Sequence, residues 1–430
     1  MLNIVFESTI LVEDNINRNA TRGGLYFVAF NIARLLLNNK NVNMYFYTSK
    51  YELNIVKYWI NKIFPDSKIY IINEESTEWL YIDIFYSTLL PMPNFLDNIK
   101  SIKKYVFLHD IIPIILPKYY SIDERDNWYN ILINNNKKYD YCFSNSNNTK
   151  NDFLKYLPNS FNDRIYVTHL GIENRFSPKE YNVKVLEKYN ITKDKKFIFT
   201  LCGFDPRKNL IRIVDTFFKF VDKNDIRDMI FIIGGYQSRK LFKEEFDTLI
   251  SKYGNKIIKL GYVDDEDVPY LYSMSEWFVY TSEYEGFGLP PLEAMACGCP
   301  VITSNNSSLP EVVGDAGIMI DWDSDEQHIE AYEKYYFDKE YRKEMSKRGL
   351  ERSKLFSWEK CTNKMLEVMN DNFVKKDIHY IKLGYVKYIR VFDRIFSLPN
   401  LFSITNSSDN RFKIIKILFI KISIKNKKNK

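Results

Sequence analysis

The sequence predicts an α/β protein made of two tandem, Rossmann-like doubly wound domains that face a cleft, followed by a basic tail. Three observations carry this reading. Short apolar runs alternate with helix-length stretches up to about Asn372. The alternation breaks at a lysine-rich stretch near residues 181–195 and then restarts. The last twenty residues hold eight Lys or Arg and no acid. Strand–helix alternation marks βαβ units on a parallel sheet, and 430 residues suffice for two or three domains. The expected division is 1–185 and 186–372, two Rossmann-like domains of which the second ends in closing helices, and 373–430, a basic amphipathic extension.

In order, residues 2–6 read as a buried strand, followed by a polar loop and a helix over 24–37. Further strands are expected at 42–47, 82–86, 104–108, 139–143 and 164–167. The second series begins with a strand at 196–201 and continues through 209–220 (helix), 229–234 (strand), 238–252 (helix) and 257–260 (strand). It closes with a helix near 266–273, a strand at 277–280, a helix over 289–297 and a strand at 301–303. Residues 324–372 read as successive helices. In such sheets ligands bind at the carboxyl ends of the strands, so a cleft between the two domains is the expected site.

Composition excludes several classes. The five cysteines are odd in number and lack a framework spacing, which argues against a disulfide scaffold. Four scattered histidines make a His/Cys metal site a poor fit. The start, apolar only to Phe6 and followed by Glu7, does not read as a signal peptide, and no run is long enough to span a bilayer. A cytoplasmic protein is therefore expected, peripheral to the inner membrane face if the tail binds lipid. The net charge is +6, but eight positive charges belong to the last twenty residues, leaving −2 on the remainder (eight subtracted from +6). A nearly neutral body is not a nucleic-acid binder.

The stretch from Ser282 to Gly298 carries the chemistry. It reads as a strand end, a glycine-bearing loop and a helix start. Pro290 sits where a missing N–H costs nothing. Gly286 and Gly288 let the backbone approach a ligand, and the free amides of the helix start favour an anion such as a diphosphate. Glu285 and Glu293, eight positions apart, are placed to accept hydrogen bonds from vicinal hydroxyls.

This stretch resembles the Glu-x7-Glu signature of retaining, GT-B-fold glycosyltransferases of family four, and other segments match it in order over most of residues 1–370. Gly203-Phe204-Asp205-Pro206-Arg207-Lys208-Asn209 is similar to the segment whose Arg and Lys clamp the donor diphosphate. Lys259 to Val263 resembles the strand and turn beside the nucleobase, and Ser308-Leu309-Pro310-Glu311 the segment after the motif helix. His109-Asp110 resembles the family's pair at the donor sugar, Gly23-Gly24 its N-domain glycine loop, and His169-Leu170-Gly171-Ile172-Glu173 its interdomain element, with His where Asn is commoner.

The resemblance implies a GT-B enzyme that transfers a hexose, with retention, from a GDP- or UDP-linked donor to a glycan or lipid-linked acceptor. It implies His109, Arg207, Lys208 and Glu285 as catalytic residues, and Gly23, Gly24, Gly286, Phe287, Gly288, Leu289 and Glu293 as donor-binding residues. No metal or other cofactor is expected. Asp321-Trp322-Asp323 has a metal-type spacing but falls between a strand and a helix, where a loop or cap role fits better. Alternatives on the same fold are an epimerase, a phosphorylase and a non-catalytic nucleotide-sugar scaffold. A dinucleotide-dependent enzyme is disfavoured because no G-x-G-x-x-G follows the first strand. In the tail, Phe412, Ile415, Phe419 and Ile422 would share one face of a helix, which suits an anionic membrane surface; a strand, or a helix packed on the body, is the alternative.

Overall fold

The computed structural model describes residues 1–16, 23–88, 91–99, 101–135, 137–157, 164–193, 195–235 and 243–372, and six short strands between 378 and 425. The first half forms a seven-stranded parallel sheet from β1 (Leu2–Glu7), β2 (Val42–Tyr47), β3 (Ile71–Ile72), β4 (Ile84–Ser87), β5 (Lys103–Leu108), β6 (Tyr141–Ser144) and β7 (Ile165–Val167). Their spatial order is β3-β2-β1-β4-β5-β6-β7. Register is set by β1, which pairs with β2 from Leu2↔Val42 and with β4 from Ile4↔Ile84. Helices α1 (Thr9–Ile16), α2 (Gly24–Leu37), α3 (Leu53–Ile63), α4 (Ile112–Ile115), α5 (Ile122–Asn135) and α6 (Asn147–Tyr156) make the connections. Ile4 and Phe6 enter one core while Val5 enters another. Successive strand side chains point to opposite faces, so a sheet covered on both sides needs an apolar run instead of alternation.

The second half repeats the plan. After α7 (Val183–Lys188) come β8 (Lys196–Leu201), α8 (Leu210–Lys223), β9 (Met229–Gly234), α9 (Lys243–Tyr253), β10 (Ile257–Gly261), α10 (Val268–Met274), β11 (Phe278–Tyr280), α11 (Leu289–Ala296), β12 (Val301–Ser304), α12 (Leu309–Val313) and β13 (Ile318–Ile320). The parallel sheet runs β10-β9-β8-β11-β12-β13. In α8, Leu210, Ile213, Val214, Phe217 and Val221 recur at helical spacing and are buried. Burying each such side chain contributes about 1.5–3 kcal/mol.

Three helices follow, α13 (Asp325–Phe337), α14 (Lys339–Ser353) and α15 (Trp358–Asp371). Each starts at a side-chain cap, from Ser324, Asp338 and Ser357 respectively. Ser324, not the Asp321-Trp322-Asp323 triplet, is the cap of α13, and Asp321 accepts from Asn305 and Gln327 in the preceding loop. Helix α15 crosses back to pack on α2 of the first half. Gly171 lies at that crossing: a Cβ there would meet the Trp358 backbone nitrogen at 1.9 Å, so a larger residue has no room.

One expectation is corrected, and of the alternatives for the tail the strand is found. The polar loop after β1 is in part α1, which buries Ile10, Leu11 and Val12. The described residues of the tail are strand. Ile378–Leu383, Val386–Val391 and Arg394–Ser397 form one three-stranded antiparallel sheet, and Phe402–Asn406, Phe412–Ile417 and Ile420–Lys425 form another, in which Phe412–Ile417 pairs with Ile420–Lys425. Ile414, Ile415, Ile417, Ile420, Ile422 and Ile424 favour extended backbone through their β-branching. The helical spacing behind the expected membrane face is therefore absent. Arg411, Leu418, Phe419 and residues 426–430 lie outside the described residues. Among the described residues no helix is long and apolar enough to cross a membrane.

Candidate active site

The two sheets turn their carboxyl edges toward one cavity of about 540 Å³. All eleven residues singled out from the sequence line it: Gly23 and Gly24, His109, Arg207 and Lys208, and Glu285, Gly286, Phe287, Gly288, Leu289 and Glu293. Two helix starts meet there. Gly23 is the N-cap of α2, Gly288 is the N-cap of α11, and a Cβ on Gly24 would lie 3.8 Å from Leu289. Both ends present the positive pole of a helix dipole to the cleft. In α11, Pro290 and Pro291 carry no N–H, so the amides left at its start are those of Gly288 and Leu289. Gly288 has φ +114°, a conformation open chiefly to glycine.

Arg207 and Lys208 sit on a short 3₁₀ turn after β8, capped by Asp205, which accepts from the Arg207 N–H at 3.1 Å. The turn aims both cations at Glu285: Arg207 Nη1 lies 3.1 Å and Lys208 Nζ 2.5 Å from Oε1. Lys208 also donates to the Tyr280 hydroxyl at 2.5 Å. Burial opposes charge on Glu285, but Lys208 and Arg207 outweigh it and hold the carboxyl down at about 2. Burial and the adjacent Arg207 push Lys208 below its ordinary value, against the pull of Glu285. Arg207 Nε and Arg175 Nε are buried without hydrogen-bond partners among the described residues. Buried donors of this kind call for an acceptor, and an anion in the cleft would supply one.

Glu293 lies on α11, accepts from the Tyr272 hydroxyl at 3.2 Å, and is pushed up to about 7 by burial, with Arg175 acting the other way. His109 follows β5. Its Nε2 lies 2.8 Å from the Thr88 carbonyl, and burial lowers its pKa to about 4. A carbonyl only accepts, so the neutral ring carries its proton on Nε2 and keeps Nδ1 as an acceptor.

The start of α6 joins the two halves of the site. Ser146 and Thr149 both donate to the Gly286 carbonyl, at 2.8 and 3.1 Å. Asn145 donates to the His109 carbonyl at 2.8 Å. A Cβ on Gly286 would lie 2.5 Å from that carbonyl oxygen. Farther out, Glu311 of α12 accepts from the Asn147 N–H and lies 2.5 Å from His169 Nε2.

Sequence reasoning missed Arg175, Asn145, Tyr272 and Tyr280. Arg175 lines the cleft two residues beyond the interdomain element, where one more Arg carries no pattern. Tyr272 and Tyr280 read as core aromatics, and they are buried; only the fold turns their hydroxyls toward Glu293 and Lys208. Among the described residues no cluster of His, Cys, Asp and Glu could hold a metal ion.

Residues 184–352 match the family model of glycosyl transferases group 1. The chain has the GT-B fold, and residues 184–352 are similar to the glycosyl transferases of group 1. In Escherichia coli, O-antigen chain mannosyltransferase B is 37% identical over 210 residues, 47% of this chain and 54% of that protein. Serotype-specific mannosyltransferase WbdA, also from Escherichia coli, is 28% identical over 269 residues, 60% of this chain and 32% of that protein. The chain thus spans about half or less of the length of these relatives. The Anabaena protein HepE, solved with UDP and glucose, superposes with a TM-score of 0.66 at 14% identity, covering 86% of this chain and 100% of that one. The matched stretch includes Arg207, Lys208, Glu285 and Glu293; His109 and the two N-terminal glycines come from the other half of the fold.

Proposed function

We propose that this GT-B protein transfers a hexose, mannose or glucose, from a GDP- or UDP-linked donor to a glycan or lipid-linked acceptor in surface polysaccharide or glycoconjugate synthesis. The observation that carries this reading is the convergence on one cleft of two helix starts, two half-buried cations, the buried Glu285 and the half-buried Glu293. A departing nucleoside diphosphate gains negative charge, and fixed donors placed where that charge develops lower the barrier. Arg207, Lys208 and the amides at Gly24 and Gly288–Leu289 supply them. Glu293 takes the ribose hydroxyls. Glu285 and the Nδ1 of His109 take sugar hydroxyls, holding the sugar as it gains oxocarbenium character.

Transfer proceeds with retention and without a metal ion on this reading, the leaving phosphate helping to deprotonate the acceptor hydroxyl on the same face. The mannosyltransferase relatives support mannose as the sugar. The test is release of nucleoside diphosphate from GDP-mannose, UDP-glucose and their base-swapped counterparts, with the product's anomeric configuration read by NMR. Retained configuration and activity unaffected by a chelator are expected. An inverted product, a trapped glycosyl-enzyme adduct, or activity lost to chelator and restored by manganese would each overturn the corresponding part.

A further inference from the structure

The cleft holds a third cation that the reaction as proposed does not use. Arg175 reaches it from the segment between β7 and α7, which joins the two halves. Contacts from both halves fix its guanidinium. The rings of Phe176 and of Phe27, on α2, lie 4.6 and 5.2 Å from its central carbon. Nη1 donates to the Asp265 carbonyl at 2.5 Å, in the loop after β10, and Nη2 lies 3.4 Å from Glu173 Oε1.

These contacts leave the side chain under-used. A guanidinium carries five N–H donors. The one on Nε is buried without an acceptor among the described residues. The side chain is 26% exposed in a residue that lines the cleft. A cation that the protein does not satisfy by itself calls for an acceptor from outside.

Position decides which acceptor. Along α11 the cleft runs from the N-cap Gly288 to Glu293, about 7 Å at the helical rise. Arg207 and Lys208 pair with Glu285 before the start of that helix, where the diphosphate is proposed to lie. Arg175 is the cation whose charge acts on Glu293, at the far end. At Arg207 a diphosphate supplies the acceptor; at Arg175 the surroundings disfavour an anion, because Glu173, Asp265 and Glu293 already surround one cation. Among the described residues Arg175 pairs with Glu173 at 3.4 Å and Asp265 at 4.0 Å, and not with Glu293. Two opposite charges that act on each other without touching leave a gap between them. A neutral group that donates to the carboxylate and accepts from the guanidinium fills it, and a hydroxyl does both.

We infer that Arg175 and Glu293 together read the vicinal diol of the nucleotide ribose, Arg175 donating to the oxygen of a hydroxyl whose proton goes to Glu293. The inference rests on the nucleotide-sugar reading for the nucleotide, and it makes Arg175 the residue that tells ribose from deoxyribose. The experiment is calorimetric titration of the full chain with UDP, GDP and their 2′-deoxy and 3′-deoxy counterparts, in the unsubstituted protein, Arg175→Leu and Arg175→Lys, each checked for folding by thermal melting. In the unsubstituted protein at least one deoxy form of the tighter-binding nucleotide is expected to bind about 10- to 100-fold more weakly, the usual worth of a hydrogen bond to a charged group. Arg175→Leu is expected to cut this ribo-to-deoxy ratio by about fivefold or more. Arg175→Lys, which keeps a charged donor without the fork, is expected to fall between the two; should Arg175→Leu not fold, the lysine variant carries the comparison.

A ratio near one in the unsubstituted protein would overturn the assignment. So would a ratio unchanged in the variants, including the case in which ribo and deoxy forms weaken equally, which is what a residue that only holds the two halves in place produces. An altered preference between UDP and GDP with the ribo-to-deoxy ratio intact would give Arg175 to the base and overturn it as well. If the unsubstituted protein binds no nucleotide at all, the nucleotide-sugar reading itself falls, and this assignment with it.

Discussion

At the scale of single residues, the cleft neutralises its own charges: Arg207 and Lys208 both pair with Glu285. A donor would have to displace this arrangement, exchanging one anion for another while freeing Glu285 for the sugar. Glu285→Gln separates the two roles. It removes the internal competitor for the cations, so nucleoside diphosphate affinity is expected to hold or rise. Turnover is expected to fall by about 10²–10³, the usual cost of losing one well-placed polar group at a reacting centre. Calorimetry with GDP or UDP, alongside steady-state rates, reads both, and turnover within threefold of the unsubstituted protein would remove Glu285 from the reacting centre.

Glu293 adds a pH dependence with a fixed sign. Its folded value is raised to about 7, chiefly by burial, from an ordinary 4.5. Between those values the folded chain binds more protons than the unfolded chain, so this group's contribution to stability falls as pH rises from about 4.5 to about 7 and is flat above. The slope is at most about 1.4 kcal/mol per pH unit. Ribose hydroxyls donate to the ionised form, so nucleotide binding is expected to tighten as pH rises through about 7 and to release a proton. Glu293→Gln should abolish both trends. Thermal melts and calorimetry between pH 5 and 8.5 measure them, and a nucleotide Kd flat with pH in the unsubstituted chain would refute the ribose assignment. These residues were legible because their types and spacing form a pattern along one short stretch. Arg175 and Asn145 were not, since each reaches the cleft from an element whose placement depends on the whole fold.

At the scale of elements, the decisive piece is the start of α6. Ser146 caps the helix by accepting from the Thr149 N–H and also donates across to Gly286. One hydroxyl therefore stabilises a helix and docks the loop that carries Glu285. Ser146→Ala loses a cap worth about 1 kcal/mol and weakens the support of a buried carbonyl, which costs about 1–3 kcal/mol more if that carbonyl is left unmade. Gly286→Ala attacks the same junction from the other side by driving a methyl into the His109 carbonyl. Both are expected to lower Tm by a few degrees and turnover at least tenfold, with the larger rate loss in Gly286→Ala, where His109 and Glu285 are forced apart. A Gly286→Ala protein with unchanged turnover would show that the two halves need not meet this closely.

Elements also mark where sequence reading ended. The alternation of apolar runs and helices announced both sheets, because strands buried on both faces are apolar throughout. It did not announce α1, whose apolar run of Ile10, Leu11 and Val12 is shorter than a helical period can reveal. In the tail, helix and strand patterns compete within Ile- and Lys-rich repeats, and β-branching decides for strand.

At the scale of the whole molecule, the two halves are held together in two physically different ways. On one side the join is apolar and permanent: α15 buries Trp358, Cys361, Met365 and Met369, and the core runs continuously from one half into the other. On the cleft side the join is polar. Lys118 pairs with Glu283 at 2.6 Å, Asn148 donates to the Tyr284 hydroxyl at 2.6 Å, and Glu311 takes the Asn147 N–H and side-chain amide at 2.9 and 2.6 Å together with His169. Polar contacts of this kind exchange readily for water, whereas an apolar core does not, so opening is expected to hinge at α15 and part at Glu311.

Glu311 does not line the cleft, which makes it a clean probe of closure. Glu311→Ala removes the acceptor for four donors of the first half, the Asn147 and Asn148 N–H groups, the Asn147 amide and His169, and leaves the cleft's own groups intact. The ligand-free variant is expected to show a larger radius of gyration by small-angle X-ray scattering, a nucleotide Kd within about threefold, and a turnover reduced about tenfold or more, because His109 and Glu285 must be brought together from opposite halves at each cycle. Saturating nucleotide sugar should recover part of the compaction, since a ligand that bridges both halves favours the closed state by its differential affinity. An unchanged radius together with unchanged turnover would mean that α15 and the α6 contacts alone fix the closed arrangement.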